Sequence, residues 1–300
     1  MTDQPTPIRV LSLGAGVQST TVLLMSLYGD LDAFDHIIFA DVGWEPPDVY
    51  EHLAKLQTEA ARFDKEITVV SAGNIREDHL NPRDDLLIKN PVKHPEYQGR
   101  QRTFIPFYVQ NDPTADNASG KGRTFRTCTK TYKIEPVERH LRSLLGLTPG
   151  ERWPTEVTFL QSMGISWDEV TRMKPSRRPA IELVYPLIDM RMTRDDCHRW
   201  MADHGWTAPR SACIGCPFHR NDEWRRMRDE DPESWADAIE FDETFRQRQQ
   251  DGKTPLTGTP YLHDSRVPLA EADIDEPVDD QMSLFGGTIF GDECEGLCGT

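Results

Sequence analysis

The sequence predicts an α/β fold: a doubly wound, mainly parallel sheet with a helical C-terminal extension and a flexible tail. Three observations carry this. Short β-branched runs alternate with runs of helical spacing. Tight, glycine-containing turns join them, as in parallel sheets whose helices cover both faces. At 300 residues the chain is long enough for one large or two small domains around a substantial core.

The elements follow in order. "IRVLSL" (8–13) is apolar and breaks at Gly14; "QSTTVLLMSLYG" then has helical spacing and ends on Gly29. "FDHIIFADVG" is a second buried strand, "PDVYEHLAKLQTEAARF" an amphipathic helix and "KEITVVSAG" a third strand. Residues 81–125 carry several prolines and read as irregular. "KIEPVERHLRSLLG" reads as a helix, while "TEVTFLQSMGIS" and "IELVYPLI" read as strands. "TRDDCHRWMADHG" is a helix with Thr193 as N-cap and Gly205 just past its end. "NDEWRRMRDEDPESWADAIEFDETFRQRQQ" is long and helical, interrupted at Pro232. We expect an α/β domain over 1–205, a cysteine motif and helical extension over 206–260, and an acidic linker with a cysteine-containing tail over 261–300. Within the last, 264–281 reads as solvated linker.

Charge narrows the function classes. The formal net charge is −16, so binding to nucleic acid through overall charge is excluded and any such contact needs a local basic face or a partner protein. Residues 76–142 are that kind of region, with about 13 Lys/Arg against 9 Asp/Glu. Residues 264–300 hold about ten acids and one arginine. No apolar run reaches the roughly 18 residues of a membrane span, and "MTDQPTPIR" lacks the apolar core of a signal peptide. A cytoplasmic protein without membrane contact is expected. Six cysteines are too few for a disulfide scaffold, which leaves thiols or metal ligands.

The turn after the first strand, Ser12 to Thr21, is the candidate phosphate site. A Walker loop needs a lysine, and none occurs between Met1 and Asp41. A dinucleotide fingerprint would use Gly14 and Gly16 with Asp41 on a ribose, but Ser19 stands where its third glycine belongs. The remaining form is a small turn, Gly14-Ala15-Gly16, opening a helix whose N–H groups and whose Ser19, Thr20 and Thr21 hydroxyls hold phosphate. A structural tight turn is the competing interpretation. Gly164, ending a later strand, suits close backbone approach to a nucleotide. Arg126, Lys130 and Lys133 flank Cys128, and Arg210 precedes the cysteine pair; gathered together they would neutralise phosphate or sulfate oxygens. Glu169 and Arg172 are further candidates, or residues of an exposed helix.

Cys213-Ile-Gly-Cys216 places two thiols on one turn, with Cys128 far upstream. Spacing alone leaves a redox dithiol, zinc (with His219 as fourth ligand) and an iron–sulfur cluster open. Cys197, inside a helix, reads as a buried core residue. Cys294 and Cys298 lie in "GDECEGLCGT", which has no core-forming pattern; they read as a mobile nucleophile or sulfur carrier with a resolving thiol, or as incidental thiols of a disordered tail.

The turn Gly14-Ala15-Gly16-Val17-Gln18-Ser19 resembles the Ser-Gly-Gly-x-Asp-Ser signature of the PP-loop ATP pyrophosphatases, with Gln18 in place of the aspartate. "ADVGWEPPDVYEHL", "TCTKTYKIEPVERHL", "GISWDEVTRM", "YPLIDMRMTRDDCHRWMADHG", "RSACIGCPF" and "DECEGLC" are similar, in the same order, to segments of the adenylyl-sulfate and phosphoadenylyl-sulfate reductase branch of that superfamily. The resemblance implies an adenine nucleotide alpha hydrolase-like fold, with ATP or an adenylyl nucleotide on Ser12, Gly14, Ala15, Gly16, Gln18, Ser19, Thr20, Asp41, Gly164 and Arg210. Mg2+ is a further implied cofactor, though Gln18 departs from its usual ligand. It also implies a [4Fe–4S] cluster on Cys128, Cys213 and Cys216. Thr129 replaces the second cysteine of the family's pair, so the fourth ligand would be Cys197, Cys294, Cys298 or an open iron. Cys294, Cys298, Lys130 and Lys133 are the candidate catalytic residues.

The function so implied is sulfur transfer through an adenylated intermediate, with DNA phosphorothioation or tRNA thiolation as the family's nucleic-acid examples. The partners implied are a sulfur donor (a cysteine desulfurase or thiol carrier), nucleic acid delivered by another protein, and a second copy of the chain. The alternatives are a reductase forming sulfite from adenylyl sulfate or its 3′-phosphorylated relative, and a non-catalytic nucleotide-binding subunit.

Overall fold

A computed structural model describes residues 6–89, 91–111 and 120–275. Contacts divide them into two compact units. Among the described residues, the first runs through Ala72 and resumes over Thr129–Ala212; the second comprises Gly73–Cys128 and residues 213–275.

The first unit is α/β. Its sheet contains β1 (Ile8–Leu13), β2 (His36–Asp41), β3 (Ile67–Ser71), β6 (Phe159–Met163) and β7 (Ile181–Val184) in the order β3-β2-β1-β6-β7, every pair parallel. The doubly wound class predicted from sequence is therefore the fold of this unit. Helices α1 (Val17–Tyr28) and α2 (Pro47–Ala61) return the chain between the first three strands. Their apolar residues Val22, Leu23, Leu53 and Leu56 form one core with Leu11, Leu13, Ile37 and Phe39. The opposite face of the sheet packs Val10, Ile38, Phe159, Met163 and Ile181 against Val137 and Leu141 of α4 (Glu135–Leu144). After β7 come the short α5 (Pro186–Asp189) and α6 (Arg194–Asp203). Thr193 caps α6 through a reciprocal bond with Asp196, as its sequence predicts.

The switch of direction in this sheet lies between β1 and β6, and the crevice at their carboxyl ends is where such folds bind ligands. Gly14 follows β1 and Gly164 follows β6, so both glycines open onto that crevice.

The second unit holds α3 (Ile75–Leu80), a small antiparallel sheet and two helices. The sheet orders β5 (Lys121–Arg123), β4 (Tyr108–Gln110) and β8 (Thr259–Tyr261). Helix α7 (Asn221–Glu230) ends where Pro232 starts α8 (Pro232–Gln250), the interruption the sequence predicts. His79 of α3 is enclosed by Phe104, Phe107, Phe241 and Phe245, with both ring nitrogens engaged by backbone groups. Burial holds its pKa down at about 4.

One sequence expectation needs correction here. Residues 264–275 are not a solvated linker: Leu269 and Ile274 are buried, and the Leu269 N–H donates to Asp242. Arginines of α7 hold the end of the segment, Arg228 gripping Asp275 with two nitrogens and Arg225 bonding the Ile274 carbonyl. A count of acids misses partners that lie distant in sequence.

Candidate functional site: a glycine turn and a thiol turn

The glycine turn is built by backbone constraints. Ala15 sits in the left-handed region at φ 57°, a conformation that costs a non-glycine residue about 1 kcal/mol or more and is retained mostly at functional turns. No side chain caps α1 at Gly16, so the first N–H groups of the helix and its positive dipole end are left for an anion. Gly164 lies hard against this turn. A Cβ there would come within 2.6 Å of Ser19 N and 2.8 Å of Ser19 Cα, so only glycine allows β6 to approach. Gly164 thus packs backbone to backbone with the turn that its nucleotide role was expected to face.

The three hydroxyls expected on phosphate are engaged inside the fold. Ser19 Oγ accepts from Gly14 N at 3.1 Å and donates to the Gly16 carbonyl at 3.3 Å. Thr20 Oγ1 meets His52 Nε2 at 2.9 Å, and Thr21 Oγ1 donates to the Val17 carbonyl. Burial, with Lys55 nearby, holds His52 down at about 4, so the ring is neutral near pH 7. These bonds engage all three hydroxyls inside the fold and fix the turn.

Gln18 is fully buried. Its amide Nε2 donates to Ser166 Oγ at 3.4 Å and to Glu169 Oε2 at 3.2 Å, while Arg172 Nη1 bonds the same carboxylate oxygen at 2.6 Å. Among the described residues, Gln18 Oε1 has no hydrogen-bond partner. Position 18 therefore presents a neutral amide, and the carboxylate bonded to it is neutralised by an arginine. This set does not fit a magnesium ion held by carboxylate ligands.

Although the turn carries no lysine, one reaches it from far along the chain. A wide π-type turn, Thr129–Ile134, precedes α4; such turns recur at functional sites because the extra residue re-aims side chains. It buries Lys133 and leaves Lys130 largely exposed, 3.7 Å from Glu135. Lys133 Nζ lies 3.6 Å from Glu45 Oε1, and the pair lines a small cavity with Ser12 and Gly14. Burial pushes the Glu45 carboxyl upward while Lys133 pulls it down. Asp41 is used locally: its Oδ1 accepts from Gly43 N at 2.7 Å and from the Tyr50 hydroxyl at 2.9 Å. Arg210 is half-buried in the segment after α6.

The thiols belong to the second unit. Cys216 N bonds the Cys213 carbonyl at 3.0 Å, and His219 closes the turn through Nε2 on that same carbonyl at 2.9 Å. His219 is thereby engaged as a structural element of the turn. Arg123 and Arg126 stack over Phe218 at 5.0 and 5.4 Å, bringing the strand before Cys128 against the segment after Cys216. Cys128, Cys213 and Cys216 are all partly exposed. Their donor chemistry, three soft thiols with two on one turn, suits an iron–sulfur cluster or zinc. Among the described residues, no three or more His, Cys, Asp or Glu side chains are gathered as a metal group. Cys197 is fully buried among Leu24, Leu187 and Met201 in the first unit's core. Cys294 and Cys298 lie outside the described residues.

No protein-family model and no curated protein matches the chain. No described helix is long and apolar enough to cross a membrane.

Sequence reasoning missed Glu45, His52 and Gln161, whose Nε2 donates to Ser12 Oγ at 2.6 Å. Glu45 and His52 stand among other polar residues in "DVGWEPPDVYEHL", where residue type alone does not mark the ones that are buried.

Proposed function

We propose that this chain is a nucleotide-dependent sulfur-transfer enzyme, binding ATP or an adenylyl nucleotide at the Gly14–Ser19 turn. The observation that carries the proposal is the uncapped α1 N-terminus at the β1/β6 switch point, pinned by Gly164 and flanked by the buried Lys133–Glu45 pair. Backbone N–H groups hold the phosphates, and Lys133 supplies the positive charge that a lysine in the loop would otherwise give.

In the reaction proposed, an acceptor oxygen attacks the α-phosphorus of ATP and pyrophosphate leaves. A sulfur at the oxidation level of sulfide then attacks the acceptor carbon or phosphorus. The C–O or P–O bond breaks, AMP departs with the oxygen, and no net redox change occurs. Cys128, Cys213 and Cys216 would hold a [4Fe–4S] cluster, which when bound supplies sulfide or electron transfer. Cys294 and Cys298 remain candidate sulfur carriers. A nucleic-acid acceptor, presented by a partner protein because the chain is so acidic, and a desulfurase or thiol carrier complete the scheme. A reducing, cytoplasmic setting suits the thiols.

The test is calorimetric titration with ATP, followed by assay of pyrophosphate and AMP with candidate DNA and tRNA acceptors. Binding that Gly164→Ala weakens at least tenfold, with release of both products, is expected. Binding without product formation would favour the non-catalytic subunit, and absence of ATP binding would overturn the proposal.

A further inference from the structure

Glu45 and Lys133 are 3% and 5% exposed, and their charged ends stand 3.6 Å apart. That separation is wider than a closed charge-assisted hydrogen bond, which settles at about 2.7–2.9 Å. The space they line is walled by Phe39, Ala40 and Val137, and by Ser12, whose hydroxyl accepts from Gln161 Nε2 at 2.6 Å. It measures about 10 Å³, room for about one water molecule. Glu45 is therefore a carboxylate out of bulk water, with Lys133 to offset its charge.

The surrounding groups load this carboxyl further. Burial pushes it upward, Lys133 on the π-type turn pulls it down, and Asp41 at the end of β2 and Asp48 in the first turn of α2 push it up again. Tyr50 of α2 accepts from Glu45 N at 3.4 Å and donates to Asp41. Burial raises its phenol far above neutrality, so Tyr50 stays protonated. Gly14 lines the same space and leads into the uncapped N-terminus of α1. A phosphate on those N–H groups brings new negative charge beside a carboxylate that already leans on Lys133. Two anions sharing one buried cation are costly, and the carboxylate is the one that takes a proton, because nucleotide anhydride oxygens are far stronger acids.

We propose that Glu45 is a yielding counter-ion: when nucleotide binds, the phosphate takes over Lys133 and the Glu45 carboxylate takes up one proton from solvent. No covalent bond forms or breaks, and the proton is the only other species exchanged. The proposal rests on nucleotide binding at the Gly14–Ser19 turn and assigns that site a positioning residue. In the free chain Glu45 keeps Lys133 charged and in place. In the complex, neutral Glu45 leaves the whole charge of Lys133 to the phosphate. Because binding takes up a proton, affinity falls as pH rises.

The experiment is calorimetric titration of the full chain with adenylyl sulfate, whose anhydride carries no group titrating near neutrality. Runs in buffers of different ionisation enthalpy give the number of protons taken up. About half a proton or more per nucleotide is expected at pH 7.5, with affinity falling about threefold per unit between pH 7 and 8.5. Glu45→Gln should remove the uptake, flatten the pH profile and bind more tightly than the wild-type chain at pH 8.5. A merely structural carboxylate would instead weaken binding at every pH when replaced. ATP gives the same difference between the two proteins, since its own titration cancels. An infrared difference spectrum of the wild-type chain should gain a protonated-carboxyl stretch on nucleotide addition, which keeps the test valid if Glu45→Gln fails to fold. Equal proton uptake in the two proteins, or absence of that stretch, would overturn the inference. So would tenfold weaker binding by Glu45→Gln across the pH range, because Glu45 would then be a fixed partner of Lys133. A wild-type chain that binds neither nucleotide contradicts the parent proposal, whereas binding without proton uptake contradicts this one alone.

Discussion

The glycine turn of the first unit and the Cys213–Cys216 turn of the second both bend the chain tightly around groups of clear chemical use, yet they are held differently. The glycine turn is buried, and its polar side chains reach partners inside the fold: Ser19 with Gly14, Thr20 with His52, Gln18 with Glu169, Lys133 with Glu45. The thiol turn is partly exposed and rests on backbone bonds and arginine–aromatic stacking. A preorganised turn can bind a ligand without rearrangement, whereas thiols not gathered as a metal group gain order from the ligand they receive.

The sharpest way to break this comparison is to remove the buried charge at the first turn. Lys133→Met leaves Glu45 without its cation and should cost about 3–5 kcal/mol in urea denaturation, with part of the loss recovered in Lys133→Met/Glu45→Gln. An equivalent loss from Arg126→Met, at the partly exposed thiol side, would erase the distinction.

Acid tests a feature the two units share. His79 is fully buried and held at about 4, against 6.5 in the unfolded chain, and His52 is held at about 4 as well. Because the folded pKa is depressed, the unfolded chain takes up protons first, so stability is full above pH 6.5 and falls as pH drops towards 4. For His79 the loss is on the order of 2–3 kcal/mol. Urea titrations between pH 7 and 4.5 should show it, and a flat profile would contradict the buried placement.

Gly164→Ala presses a methyl group onto Ser19. It should destabilise by about 1–3 kcal/mol in thermal melts while leaving the near-ultraviolet signature of the Phe107–Phe245 stack in place. Ala15→Gly has the smallest effect. Relief of the left-handed strain is offset by the added freedom of the unfolded chain, so stability should stay within about 1 kcal/mol.

The sheet was legible because its strands are short apolar runs separated by helical periodicity, and the Thr193 cap and the Pro232 break have local signatures. The glycine turn was legible as a turn. What its side chains do was not, because Thr20 and Ser19 find their partners through three-dimensional packing that residue type alone does not specify. Lys133 is the clearest example. Its place beside Gly14 depends on a π-type turn more than a hundred residues downstream, which no periodicity announces. The packing of 264–275 was hidden for the same reason, since an acidic stretch looks solvated until Arg225 and Arg228 are found against it.

The central claim, that a nucleotide turn works together with sulfur-bearing thiols, is tested most directly by purifying the full chain without oxygen and quantifying iron and acid-labile sulfide. The account predicts about four of each per chain, with a broad visible absorption band that is lost in Cys213→Ser. A colourless protein that carries zinc, or no metal after anaerobic reconstitution with iron and sulfide, would contradict it.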